Sequence, residues 1–336
     1  MSDPAEAMLA EIETTSAQLV QAREQLARRV IGQDKVLDLA LITLLSGGHG
    51  LMVGVPGLAK TRLVEAMGTV TGLNSGRVQF TPDLMPADII GAEVLQSAED
   101  GSRAFHFMEG PIFCQLLLAD EINRASPRTQ SALLQAMQER HVTVAGQRRD
   151  LPPPFHVLAT QNPVEQEGTY PLPEAQLDRF LLQIDIDYPD RGAEREILLA
   201  TTGAEEAQAE QVLDAASLMA AQRLVRRLPV GEQVVEAILD LVRAARPGTA
   251  DASERVTRSV SWGPGPRAAQ ALMLAVRARA LIDGRLAPSL DDVVALAEPA
   301  LKHRMALGFA ARAEGQTLEA LIGELAERIT GRAEAA

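Results

Sequence analysis

At 336 residues, 46% of them hydrophobic, the chain exceeds one typical domain and can bury a sizeable core, so two domains are expected. No apolar run approaches the ~20 residues of a membrane span and the acidic N-terminus lacks a secretory pattern, which excludes membrane insertion and leads us to expect a cytoplasmic protein. With 45 acidic against 32 basic residues (net charge −13) and only 3% aromatic residues, the composition disfavours nucleic acid as a partner.

Residues 5 to 45 read as two helices, with Leu9, Ile12, Leu19 and Leu26 on the first and Val36, Leu37, Ala40, Leu41 and Leu44 on the second. Val30-Ile31-Gly32-Gln33 separates them. Gly50-Leu51-Met52-Val53 then reads as a short buried strand. It runs into Gly54-Val55-Pro56-Gly57-Leu58-Ala59-Lys60-Thr61 and a helix carrying Leu63, Val64, Met67 and Val70. A glycine-spaced turn between strand and helix that ends in Lys-Thr is built to hold polyphosphate. Its backbone N–H groups point inward, the helix N-terminus adds a positive end, Lys60 reaches the outer phosphates, and the Thr61 hydroxyl is placed on Mg²⁺.

Only three lysines occur among the 32 basic residues, Lys35, Lys60 and Lys302, so a lysine in this loop suggests a need for a compact point charge. Ala59 stands where a glycine commonly precedes the lysine. Alanine is suited to a helical conformation, and little loss is expected from it. On the motif alone, a glycine-rich turn that merely joins strand to helix stays open.

Further apolar runs at Arg77–Thr81, Gln115–Asp120, Phe155–Gln161 and Leu181–Asp187 read as strands separated by helical stretches, giving a five-stranded parallel sheet covered on both faces. The run Gln115-Leu116-Leu117-Leu118-Ala119-Asp120-Glu121 empties into two carboxylates at the sheet edge where such proteins bind ligands. There Asp120 can hold Mg²⁺ through its water shell, while Glu121 can polarise the water that attacks a γ-phosphate. A strand ending in solvated charges is the reading for that pair in isolation; beside the phosphate loop the preference reverses. Asn162, closing Phe155–Gln161, could bond the attacking water and a phosphate oxygen, although Asn-Pro alone is an ordinary turn former.

Cys114, the single cysteine, excludes an internal disulfide and reads as a packed core thiol beside Ile112 and Phe113. The histidines, His49, His106, His141, His156 and His303, show no metal-ligand spacing. After Tyr188-Pro189-Asp190 strand-like runs disappear and Ala, Leu, Glu and Arg dominate, so residues 1–190 read as the α/β domain and 191–336 as an all-helical one. Ser289 reads as the N-cap of a helix over Leu290–Leu301.

These motifs, in this order, resemble the AAA+ ATPases and within them the MoxR family. The resemblance is carried by Val30-Ile31-Gly32-Gln33, the 54–61 loop with alanine before its lysine, residues 119–139 beginning Ala-Asp-Glu-Ile-Asn-Arg, Ala-Thr-Gln-Asn-Pro at 159–163, and Pro-Glu-Ala-Gln-Leu-Asp-Arg-Phe at 173–180. It implies an AAA+ P-loop core with a helical lid, ATP and Mg²⁺ as ligands, and Val30 and Ile31 at the adenine end. It also implies an arginine finger at Arg179, reaching the γ-phosphate of the neighbouring subunit, and a second sensor at Arg267. For Arg179 an internal pair with Asp178 or Glu174 is the alternative.

A finger acting in trans implies a homo-oligomeric ring, most often of six. The resemblance further implies protein clients to remodel or mature, von Willebrand factor A domain partners, and roles in metal or cofactor insertion. Residues 86–110 and 139–153 resemble family insertions, though the latter would also suit an ordinary surface hairpin. Two other functions fit the motifs: a DNA-translocating or helicase ATPase, which the acidic balance disfavours, and a nucleotide-gated scaffold, which Glu121, Asn162 and Arg179 disfavour.

Overall fold

The computed structural model describes residues 4–97, 103–164, 168–203 and 207–333. Helices α1 (Pro4–Arg29) and α2 (Asp34–Leu45) lead into β1 (Gly50–Val53), α3 (Lys60–Thr71) and β2 (Ser75–Gln79). The α/β part continues through α4 (Pro86–Ile90), hairpin β3–β4 (Gly91–Ser97, Arg103–Glu109), β5 (Leu116–Asp120), α5 (Pro127–Glu139) and hairpin β6–β7 (His141–Val144, Gln147–Asp150). It closes with β8 (His156–Gln161), α6 (Glu174–Leu177) and β9 (Leu182–Asp185).

Five strands form one wholly parallel sheet in the order β2-β5-β8-β1-β9. Their apolar runs are explained by burial on both faces, because successive side chains enter opposite cores. Leu51, Leu117, Val157 and Ala159 face a core shared with Leu133, Leu134 and Met137 of α5. Met52, Leu116, Leu118, Leu158 and Ile184 face the larger core that includes α1, α2 and α3. The five expected strands are all present, within one or two residues at most ends.

Residues 86–110 hold α4 and the β3–β4 hairpin, with residues 98–102 outside the described residues, and residues 139–153 hold the expected hairpin β6–β7. Ala145 and Gly146 take positive φ (50° and 78°), the turn that a two-residue hairpin connection requires. The hairpins touch through Arg149, whose guanidinium lies 3.9 Å from the ring centroid of Phe107.

The remainder is α7 (Arg191–Thr202), α8 (Ala215–Arg227), α9 (Glu232–Ala244), α10 (Glu254–Ser259), β10 (Val260–Trp262), α11 (Pro266–Ile282), α12 (Leu290–Leu301), β11 (Ala306–Leu307), α13 (Phe309–Ala313) and α14 (Leu318–Ala333). Helices α9, α11, α12 and α14 pack on one another, while α12 also packs on β9 and α11 on α1 and α2. Strand pairing does not vanish after residue 188 as the composition suggested, since β10 and β11 form a small antiparallel sheet too short to leave an alternating signature. Ser289 does cap α12, its N–H donating to Asp292 Oδ2 at 2.8 Å. No helix among the described residues is long and apolar enough to cross a membrane.

Candidate active site

β1 delivers the 54–61 loop to the C-terminal edge of the sheet, between β8 and β9. Gly54 is required there, because a Cβ would stand 2.5 Å from the carbonyl oxygen of Ile186. Gly57 takes φ 87°. Ala59 does not take the right-handed helical conformation assumed for it: it is left-handed, at φ 57° and ψ 18°, immediately before α3. The chain must turn from loop into helix at this residue, and alanine bears a strain of about 1 kcal/mol that glycine would avoid. Lys60 opens α3 and donates from Nζ to the Gly54 carbonyl at 2.5 Å. Half-burial lowers its pKa, against the opposing pull of the Asp120 and Glu121 carboxylates, so ammonium and acid pair share one electrostatic environment.

The acid pair is held from two neighbouring strands. Asp120 Oδ1 accepts from the Thr160 hydroxyl at 2.7 Å, and its Oδ2 accepts from Arg77 Nη2 at 2.7 Å. Glu121 sits at φ 56°, a left-handed conformation that costs a non-glycine residue on the order of 1 kcal/mol, and its N–H donates to the same Thr160 hydroxyl at 2.7 Å. Its Oε2 accepts from Gln79 Nε2 at 2.8 Å and from Arg124 Nη1 at 2.9 Å. The carboxylate is thus aimed by β2 and by the turn that follows β5.

Asn162 is buried just past β8, and its Oδ1 accepts from the Val164 N–H at 3.1 Å. The local turn seen in the sequence therefore coexists with a position beside the loop. Arg179 lies elsewhere. It precedes β9, whose first residue, Leu182, pairs with Gly50 at the start of β1, whereas the phosphate loop follows the end of β1. The two are at opposite sheet edges, separated by at least about 10 Å of strand. Arg179 Nη1 donates to the Leu134 carbonyl of α5 at 2.6 Å. Among the described residues it pairs with neither of the acids proposed as alternatives, and Asp178 is bound by Arg304. Arg267 is exposed in the first turn of α11; burial lowers the Arg304 pKa, and the Arg267 charge adds to that lowering.

Two cavities flank the loop. One of about 370 Å³ brings Val30 and Ile31 together with Gly57, Leu58 and Ala59 beneath Leu198 of α7. The other, about 420 Å³, lies between Gly54 and Val55 on one side and Glu298 and Lys302 of the helical region on the other. Thr61 and Asp120 offer a hydroxyl and a carboxylate at this edge. Such hard oxygen donors fit Mg²⁺, which keeps its waters and needs only one or two protein oxygens beside phosphates.

Sequence reading missed Thr160, Gln79, Arg77 and Arg124. Parallel register brings Thr160 beside Asp120, one residue beyond the Ala119–Ala159 pair, and pairs Gln79 with Asp120. The one signal available was the quoted segment Ala-Thr-Gln-Asn-Pro, in which Thr160 and Asn162 share a face at the strand period of two.

The chain has relatives of known sequence and structure. A model described as the ATPase family associated with various cellular activities (AAA) matches residues 49–182, and one described as the AAA lid domain matches residues 252–325. The Mycobacterium tuberculosis protein described as chaperone MoxR1 is 40% identical over 97% of this chain and 84% of its own length. Protein MoxR of Paracoccus denitrificans is 32% identical over 83% of this chain and 85% of its own length. The crystal structure of a candidate ATPase from Cytophaga hutchinsonii superposes with a TM-score of 0.88 at 34% identity, covering 96% of this chain and 97% of that one.

Proposed function

Since this chain belongs to the MoxR family of AAA+ ATPases, we propose that it hydrolyses Mg-ATP at the interfaces of a homo-oligomeric ring, most often of six, and uses the turnover to remodel or mature client proteins. The description of the Mycobacterium tuberculosis relative as a chaperone supports the client class. Partners with von Willebrand factor A domains, and a role in metal or cofactor insertion, belong to the same reading.

In this mechanism the N–H groups of the 54–61 loop and the N-terminus of α3 cradle the phosphates while Lys60 exchanges the Gly54 carbonyl for a phosphate oxygen. Val30 and Ile31 receive the adenine. Thr61 and Asp120 would hold Mg²⁺ through oxygen, and the ion would supply neutralisation of the charge on the phosphates. Glu121, aimed by Gln79 and Arg124, accepts the proton of the water whose oxygen forms the new bond to the γ-phosphorus, and Asn162 orients that water. The bond from γ-phosphorus to the bridging oxygen breaks, leaving ADP and phosphate. Arg179 is offered to the neighbouring copy, where a permanently charged fork grips the transferring group, and Arg267 acts as the second sensor, tying lid position to nucleotide state. Residues 191–336 act as the lid.

The observation that carries this reading is the common environment of Lys60, Asp120 and Glu121 at one sheet edge, with Arg179 at the other. Phosphate release by the purified oligomer, with and without Mg²⁺, tests it. Glu121→Gln should retain ATP and lose ~10²–10⁴-fold in turnover, the range of a general base. Arg179→Ala should bind ATP, turn over poorly, and recover when mixed with Lys60→Ala subunits, which lack a working site but offer an intact finger. Stimulation by single-stranded or duplex DNA would favour a translocating ATPase instead. Clients are sought by capture on the ATP-bound Glu121→Gln protein.

A further inference from the structure

The helical region grips both ends of β9 through three consecutive residues. After α12 the chain makes one turn of 3-10 helix, Lys302–Arg304. Lys302 Nζ bonds Asp185 Oδ2 at 2.6 Å at the C-terminal end of β9, on the cavity beside Gly54, and is also held by Glu319 of α14 at 2.5 Å. Arg304, only 2% exposed, reaches the opposite end. Its Nε donates to Asp178 Oδ1 at 2.7 Å, Nη2 to the Phe180 carbonyl at 2.5 Å, and Nη1 to the Leu181 carbonyl at 3.1 Å. His303 adds a bond to the Phe180 carbonyl at 3.1 Å.

We propose that Arg304 is a positioning residue for Arg179: it fixes the backbone on either side of Arg179 so that the guanidinium is presented to the neighbouring copy, with Lys302 anchoring the same turn to the nucleotide end of the strand. This rests on the reading of Arg179 as a finger acting in trans.

A buried guanidinium is expensive, and an apolar residue would generally stabilise a core as well or better. What an apolar residue cannot do is hold three fixed acceptors at once. The planar fork of Arg304 binds one carboxylate and two carbonyls within a four-residue segment, and that segment contains the finger. Arg179 itself has a long side chain, whose tip is hydrogen-bonded, among the described residues, to the Leu134 carbonyl. The accuracy of its tip is therefore set by the backbone at Asp178 and Phe180, which Arg304 binds. Displacement by about 1 Å costs on the order of 10²-fold in rate when a group must meet a reacting centre. Because the turn belongs to the helical region and is tied by Lys302 beside the subunit's own nucleotide cavity, the finger offered to the neighbour follows the lid of the subunit that offers it.

The test uses assembled rings. Arg304→Lys keeps the positive charge near Arg267 but loses the fork, and Asp178→Asn removes the carboxylate while keeping its shape. Each should lower turnover by roughly 10- to 100-fold with ATP affinity changed by less than about twofold. Turnover should return when either is mixed with Lys60→Ala subunits, whose finger loops are intact. A stabilising residue of no positional importance would lower the melting temperature without recovery on mixing. If Arg304→Lys fails to assemble, Asp178→Asn decides the matter by itself. Recovery of Arg179→Ala without recovery of these variants overturns the role of Arg304 alone. No recovery even of Arg179→Ala overturns the trans finger, and this proposal with it.

Discussion

Lys60 Nζ donates to the carbonyl oxygen of Gly54 at 2.5 Å, so the lysine at the end of the phosphate loop closes the loop on its own first residue. An anion arriving at the N-terminus of α3 competes with that carbonyl for the same ammonium, and charge-assisted bonds to phosphate are the stronger of the two. Lys60→Ala should therefore abolish ATP binding in calorimetry. The melting temperature should stay within a few degrees of the parent, because the half-buried ammonium bears a desolvation penalty that its removal also relieves. A large fall in melting temperature would mean that Lys60 is chiefly structural.

Thr160 is fully buried, and its hydroxyl joins Asp120 to the backbone of Glu121. Thr160→Val keeps the shape and removes both bonds, leaving a buried N–H without its acceptor. We expect a loss of about 1–3 kcal/mol in unfolding free energy. Turnover should fall by more than ATP affinity does, since Glu121 loses the contact that supports its left-handed backbone. Equal losses in binding and turnover would count against this assignment.

Three buried histidines should make the fold acid-sensitive well above the carboxylate range. Burial is the main cause lowering His49 to about 3 and His156 to about 4, and it lowers His303 well below 6.5. In two of them an accepted hydrogen bond also occupies the nitrogen that a proton would take: Val157 N–H donates to His49 Nδ1, and Gln222 donates to His156 Nε2. Below pH 6.5 the unfolded chain takes up protons that the folded one refuses, so stability falls as pH falls, by ~2 kcal/mol per histidine between pH 7 and pH 5. Urea midpoints across that interval measure the slope, and His156→Gln should reduce it by one histidine's share.

Cys114 is buried against Gly76, and burial raises its pKa to about 11. At pH 8 a thiol-specific reagent should label it only as the protein unfolds, at a rate that follows denaturant. Rapid labelling of the folded protein would show that the β2–β5 edge opens locally.

Much of the site could be read directly. Gly54–Thr61 and Asp120–Glu121 are contiguous segments, and the elements that frame them announce themselves by apolar runs of strand and helix length. The left-handed backbone at Ala59 could not be read, because conformation at the join of loop and helix is imposed by where the strand and helix must each lie. The partners of the acid pair were hidden for a related reason: Thr160 is 40 residues from Asp120 and Gln79 is 42 from Glu121, and only sheet register makes them neighbours. The clamp at Arg304 is more remote still, 126 residues from Asp178.

Residue type and local spacing therefore determined the ligand class, the family resemblance and the five strands, since phosphate-loop geometry and strand periodicity are both short-range properties of the backbone. Tertiary structure alone decided which side chains aim Glu121 and why Arg179 faces away from its own phosphate loop. Those depend on strand order and on the docking of the helical region against β9, and both are set by burial of surfaces that lie far apart along the chain.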